Sequence, residues 1–321
     1  MLKYEPLRLD EIRAAQVRVS EELQPTPLVR FNGNDDSSEI YLKLENLQPI
    51  RAFKIRAAIN AIKTADREKL RSGVWTVSAG NWAQGLAWAA RKLGVKCTCV
   101  VPESVPKIKE DSIRRLGANV VKVPSEVYWR TYSTRSLEGM EGTFMHAFSD
   151  RAVMAGNGTI GLEILEKLPD VDTVVIPWGG GGLACGIASA IRALKSDTRI
   201  FVAEADTATP FSTAFKFGGV PKEVPYIPSF IDGAGAPWIF PEMWDLAKQL
   251  LDGSLVVSLK EIVEAIRLLV ERNCVIAEGA GAASLAVALS GKAGKGKIAC
   301  IVSGGNIDPT KLVKIIQGQI P

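Results

Sequence analysis

The sequence predicts an α/β protein whose parallel sheets carry helices on both faces. Three observations predict it. Short apolar runs alternate with segments of helical periodicity along most of the chain. Glycines such as Gly94 and Gly117 stop the helices. Glycine-rich turns follow three of the apolar runs, at Ser78–Gly85, Trp178–Gly186 and Ser303–Asp308. In a parallel sheet such turns fall at the carboxyl ends of strands, where ligands bind.

The elements follow in order. Leu9–Leu23 is an amphipathic helix ended before Pro25, and Ile40–Glu45 is a strand. Lys54–Leu70 has helical spacing and good helix formers. Then come a strand at Val74–Gly80, a helix at Ala83–Leu93, a strand at Lys96–Pro102, a helix at Pro106–Leu116 and a strand at Asn119–Pro124. The pattern is irregular near Glu138–Asp150. It resumes with a helix at Asn157–Lys167, a strand at Asp172–Trp178, a helix at Leu183–Leu194 and a strand at Arg199–Ala205. Thr207–Leu255 reads as loops and short elements. Helices at Leu259–Arg272 and Gly281–Ser290 precede a final strand at Lys297–Gly305.

Bulk properties narrow the function. The 321 residues suit two lobes rather than one. A net charge of +4 with both signs interspersed offers no basic block for nucleic acid or membrane. No apolar run approaches the ~18 residues of a membrane span, and the N-terminus lacks a signal-peptide core; a cytoplasmic protein is expected. Five scattered cysteines argue for a reducing compartment. Cys97 and Cys99 read as strand packing rather than zinc ligands. His146 is the single histidine, which leaves no serine triad and no histidine metal site. The acid pair Asp35–Asp36 reads as a loop.

The turn Gly179–Gly182 opens onto a helix, where unpaired amides and the helix dipole favour an anion. No Walker Lys-Ser/Thr follows, so the cradle is not one for ATP. Gly179, Gly181 and Ala184 match a dinucleotide fingerprint, and Glu204 stands where a ribose-binding acid belongs. From this segment alone an NAD-dependent oxidoreductase stays open. Lys54 points elsewhere. A lysine on a helix is ordinarily solvated, but this one follows Phe53 and a turn just past a strand end. Near a phosphate cradle it could form a Schiff base with an aldehyde cofactor.

With these residues the chain resembles the fold-type II pyridoxal phosphate enzymes, specifically the serine/threonine dehydratase and serine racemase group. The carrying motifs are "TPL" at Thr26, "LKLENLQPIRAFKIRAA", "SAGNWAQG", "VPESVPKIKEDSIRRLGANVV", "AGNGTIGLEI", "PWGGGGL", "EGAGAASLA" and "SGGNID", in order along nearly the whole chain. The resemblance implies a tryptophan synthase β-like fold with two parallel-type sheets. A large domain would comprise residues 1–66 and 150–321, and a small mobile substrate domain residues 73–148. It implies a cytoplasmic homodimer and a PLP-dependent ammonia-lyase that eliminates water from a β-hydroxy-α-amino acid, giving a 2-oxo acid and ammonia.

Roles follow position by position. Lys54 would carry the cofactor and act as base, Phe53 would lie against its ring, and Asn81 would bond the ring oxygen. Gly179, Gly180, Gly181, Gly182 and Leu183 would hold the phosphate, which would protonate the departing hydroxyl. Ser303 would meet the pyridine nitrogen, with Glu278 nearby. Ser78, Ala79, Gly80, Asn81 and Trp82 would hold the substrate.

Some positions depart from the family pattern. Ala79 replaces the serine that racemases use as a second acid/base, which disfavours racemisation. Trp82 replaces a histidine and Ala52 a serine. These two changes suggest a more apolar pocket and a bulkier substrate such as phenylserine. Glu204 and the Ala208 carbonyl match a divalent-metal site, but Pro210 stands where a carboxylate ligand belongs, so a weak or absent metal site is expected. A non-catalytic ligand-binding relative is the remaining alternative.

Overall fold

The computed structural model describes residues 5–33, 38–219 and 223–321. Asp35–Asp36 lie outside them. In the first half of the chain the elements are α1 (Leu9–Ser20), β1 (Leu28–Arg30), β2 (Ser38–Leu44), α2 (Lys54–Thr64), α3 (Arg67–Leu70), β3 (Val74–Val77), α4 (Asn81–Lys92), β4 (Cys97–Pro102), α5 (Lys107–Arg115), β5 (Asn119–Val123), α6 (Ser125–Thr134) and β6 (Thr143–Phe144). The second half contributes α7 (Arg151–Lys167), β7 (Thr173–Pro177), α8 (Gly182–Leu194), β8 (Arg199–Ala205), α9 (Pro210–Phe217), α10 (Pro241–Leu250), β9 (Gly253–Val257), α11 (Leu259–Asn273), α12 (Gly279–Leu289), β10 (Gly296–Val302) and α13 (Pro309–Ile316).

The strands form two sheets. A six-stranded sheet has the order β1-β2-β10-β7-β8-β9, and a four-stranded sheet the order β5-β4-β3-β6. Only β1 runs antiparallel to its neighbour. The four-stranded sheet is built entirely from the chain between β2 and β7, so it is an insertion in the larger one. All five residues of β7 are buried, as a strand covered on both faces must be. Cys97 and Cys99 are buried free thiols on β4, consistent with strand packing.

Several boundaries differ from the sequence reading. The helix expected over Lys54–Leu70 breaks at Ala65, which is extended, and Asp66 restarts it by accepting the Glu68 N–H at 2.9 Å. α7 begins at Arg151 rather than Asn157. The weak region Thr207–Leu255 contains α9, α10 and β9, and the sequence reading passed over α6 altogether. Proline opens both α9 and α10, so their first turns look like loops in sequence.

A buried ion cluster ties α2 to α7 and β2. Arg56 donates to Glu45 at 2.8 and 2.9 Å and to Glu163 at 2.5 and 2.8 Å, and Lys43 donates to Glu163 at 2.5 Å. Thr26 and Thr159 complete the shell. Two cations and two anions balance, which is what makes burial of all four tolerable. Lys54 stands two residues before Arg56, so the cluster anchors the first turn of α2.

Candidate active site

The two sheets meet at a cavity of about 560 Å³ that collects strand ends and helix starts. The residues after β3, β7 and β10 all reach it, as do the first residues of α2 and α4. Lys54 is placed there by an unusual approach. Residues 51–53 lie antiparallel to 303–305: the Phe53 N–H donates to the Ser303 carbonyl at 3.0 Å and the Gly305 N–H to the Arg51 carbonyl at 2.9 Å. Arg51 adopts a left-handed conformation (φ 58°) to enter this pairing. Lys54 then opens α2 beside Ser303, and both line the cavity.

Among the described residues the Lys54 amine has no acidic partner. It donates to the Ala147 carbonyl at 2.7 Å and lies 5.0 Å from the centre of the Phe53 ring. Burial pushes its pKa down to about 8. A lysine in that range is a usable nucleophile and base near neutral pH.

Across the same cavity stands the tetraglycine turn. Gly179 and Gly180 line it; Gly181, Gly182 and Leu183 lie behind them at the start of α8. No side chain caps α8, so its first amides stay available to an anion. The bareness of the turn has a second cause that the sequence did not suggest. A Cβ on Gly180 would fall 2.2 Å from the Phe148 ring, and one on Gly182 would fall 2.5 Å from the Phe148 carbonyl oxygen. The segment 146–149 therefore needs these glycines in order to pack.

His146 shapes that segment. Its Nδ1 accepts from the Ser149 N–H at 3.0 Å, and its ring meets Phe148 edge-on at 4.5 Å. Burial, with the charges of Arg135 and Lys54, pushes its pKa down to about 3. It is a neutral buried strut that presents Ala147 to Lys54 and Phe148 to the glycines.

Ser78, Ala79, Gly80, Asn81 and Trp82 line a third side, and Ser303 and Glu278 also face the cavity. Asn81 is fixed at both ends of its amide. Its Nδ2 donates to Glu278 Oε1 at 2.8 Å, and its Oδ1 accepts from Asn306 Nδ2 at 2.8 Å. Asn306 escaped the sequence reading, although it stands in the quoted "SGGNID".

Burial raises the Glu278 carboxyl to about 7; the Asn81 hydrogen bond opposes this and Asp232 adds to it. Its folded pKa exceeds its ordinary value, so the stability this group contributes at low pH is lost as pH rises from about 4.5 through about 7. Glu278→Gln is therefore expected to match the wild type near pH 4.5. At pH 8 it should be more stable by up to about 3 kcal/mol, since each tenfold change in proton affinity on folding is worth ~1.4 kcal/mol. Urea unfolding at the two pH values measures the difference; equal stability at both would refute a buried, proton-holding Glu278.

Four residues singled out in the sequence hold structural positions as well. Glu204 is buried, and its two oxygens accept the Phe211 and Ser212 amides at 2.8 Å each, with Ser254 Oγ at 2.6 Å. It caps the start of α9, and these three bonds give it a structural role there. Ala208 is buried in the same turn, which Pro210 closes. Of Ala52 and Trp82, only Trp82 lines the cavity. Ala52 is fully buried in the core beside Gly304 and does not line the cavity. Trp82 is 2% exposed but lines the cavity, with its ring centre 5.8 Å from Lys54 Nζ; its indole N–H donates to Thr76 Oγ1 at 2.8 Å.

An unpaired lysine facing an anion cradle across a cleft between two parallel sheets defines a fold-type II cofactor enzyme. The pyridoxal-phosphate dependent enzyme family matches residues 19–304, and the chain belongs to that family. It is 36% identical over 315 residues to the L-threonine ammonia-lyase of Thermotoga maritima, covering 97% of this chain and 78% of that one. Maize serine racemase superposes with a TM-score of 0.87 at 30% identity, covering 97% of both chains. Threonine deaminase isoform 2 from Solanum lycopersicum gives 0.85 at 29% identity, covering 98% of this chain and 90% of that one. The cofactor is pyridoxal phosphate, as the sequence resemblance implied, and the dinucleotide reading is set aside. Among the described residues no helix is long and apolar enough to cross a membrane.

Proposed function

We propose that the protein is an ammonia-lyase that removes water from a β-hydroxy-α-amino acid and releases a 2-oxo acid and ammonia. One observation carries this reading: the Lys54 amine, without an ionic partner, shares one cavity with the glycine turn and Ser303. The residues suit the cofactor. Gly179 has no atom closer than 3.4 Å to a notional Cβ, so a phosphate can approach its backbone, with the amides of Gly180 to Leu183 behind it. Phe53 offers a ring face, Asn81 a positioned amide, and Ser303 a hydroxyl for the pyridine nitrogen.

When bound, the cofactor supplies an electron sink for the charge left at the substrate α-carbon. Lys54 Nζ takes the α-proton, a task its lowered basicity fits. The amides after Ser78 and the start of α4 receive the substrate carboxylate. The Cα–H and Cβ–OH bonds break and one water leaves. The released enamine takes up water, giving the 2-oxo acid and ammonia. Ala79 lines the cavity and carries no group that can move a proton, which supports elimination over racemisation.

The inserted four-stranded sheet is read as the mobile substrate domain, residues 73–148, against a cofactor domain of 1–66 and 150–321. Two ion pairs cross between them, Lys109–Asp232 at 3.2 Å and Arg135–Glu242 at 3.5 Å; closure would remodel these. The homodimer and cytoplasmic setting rest on the family resemblance.

The test is ammonia and 2-oxo acid release by the cofactor-loaded protein from threonine, serine and their β-substituted analogues. Release from at least one is expected; silence across the panel would end the proposal.

A further inference from the structure

Resting on that reading, we infer that the preferred substrate carries an aryl group on its β-carbon, and that the rings of α6 and of residues 238–240 receive it. The residues differ from Ala52 and Trp82, which the sequence had suggested for the same purpose.

The wall is continuous with the cofactor side of the cavity. Phe148, seated on the glycine turn, meets Phe240 at 5.2 Å and Tyr132 at 6.5 Å between ring centres. Tyr132 meets Phe240 at 6.2 Å and Trp129 at 5.9 Å, and Trp129 meets Tyr128 edge-on at 5.2 Å. With Trp238, all of these line the one cavity that holds Lys54 and Ser303. Edge-to-face contacts of this kind extend readily to one more ring, with selectivity beyond area burial.

Helix geometry explains how the rings reach the cavity. Tyr128 and Tyr132 lie four residues apart and share one face of α6. Trp129 stands beside them, and the residue remains 54% exposed. Neither tyrosine hydroxyl has a protein partner among the described residues, so the rings are not held there by a polar anchor. A methyl side chain such as threonine's would leave most of this apolar surface wet, whereas a phenyl group would cover it.

The charges in the cavity favour an uncharged side chain. Besides Lys54, the charged lining residues are Lys109, Asp232 and Glu278. Lys109 is paired with Asp232, which leaves no free cation for a side-chain carboxylate. Small residues give the ring room: the backbone at Gly80 faces open space, and Ala79, Ala234 and Ala236 line the same cavity.

The decisive comparison is kcat/KM of the holoenzyme for L-phenylserine and L-threonine, read as ammonia release. A preference for phenylserine of about tenfold or more is expected. Trp129→Ala, at a half-exposed position that does not threaten folding, and Tyr132→Ala should each lower the phenylserine-to-threonine ratio several-fold. A preference for threonine, or ratios unmoved by both substitutions, overturns the aryl assignment and leaves the lyase reading standing. If no β-hydroxy amino acid of the panel releases ammonia, the lyase reading fails. Binding then decides the aryl question, through the change in cofactor absorbance with L-phenylalanine and L-2-aminobutyrate, which lack the leaving hydroxyl. Tighter binding of phenylalanine sustains the wall's role; equal or weaker binding overturns it.

Discussion

Lys54→Ala is expected to lower ammonia release by at least about 10⁴-fold, because it removes both the cofactor's attachment point and the base. The protein should still fold. Lys54 makes one hydrogen bond, to the Ala147 carbonyl, and no ion pair. Its folded pKa of about 8 lies below its ordinary value, so the fold disfavours the charged amine. Between about pH 8 and 10.5 wild-type stability therefore rises with pH, and below pH 8 the full penalty applies. At pH 7 the cofactor-free variant should melt at or above the temperature of the cofactor-free wild type. The inactive variant should also lack the visible absorbance that the cofactor acquires on attachment. Activity within tenfold of wild type would remove Lys54 from the mechanism.

Arg56→Met should have the opposite profile, with a large loss of stability and an indirect loss of function. Arg56 is 1% exposed and satisfies two carboxylates at once. Removing it leaves both carboxylates buried, Glu163 with Lys43 and Glu45 with the Thr26 hydroxyl and the Gln48 amide. Breaking a buried pair in this way costs roughly 3–5 kcal/mol. The exposed pair Lys107–Asp111 on α5 is the control: Lys107→Ala should change stability by no more than about 0.5 kcal/mol. Denaturant midpoints of the two variants check both values. A loss under about 1 kcal/mol for Arg56→Met would show that the cluster is not holding α2 in place.

The sequence exposed what is local. Glycine turns after apolar strands located the cavity edge, and the approach to Lys54 marked an amine that lines the cavity, because each signal fits within a few adjacent residues. What it hid depends on contacts between distant segments. Arg56 meets Glu163 across 107 positions, and Lys43 meets it across 120. No periodicity announces such partners. Phe148 was invisible for the same reason, since its role appears only once Gly180 and Gly182 are packed against it. Ala52 and Trp82 look alike in sequence, yet direction separates them: Ala52 enters the core, whereas Trp82 lines the cavity while its N–H bonds Thr76. The aromatic wall went unread because α6 follows Pro124 and lacks a broad apolar stripe; only Thr131 of its ten residues is fully buried.

The place of β10 has a consequence for how the chain is made. It lies between β2 and β7, pairing with seven residues of β2 and three of β7. A ribosome delivers β2 well before β10, with the whole inserted sheet between them. The inserted sheet has all its strands once residue 144 has emerged and can assemble during synthesis. β2, by contrast, waits with one edge unpaired until residue 302 is free, a row of open donors and acceptors of the kind that invites wrong partners. The nascent chain thus carries an unzipped seam until β10 emerges, and the binding cleft, to which Ser303 after β10 contributes, is completed only then.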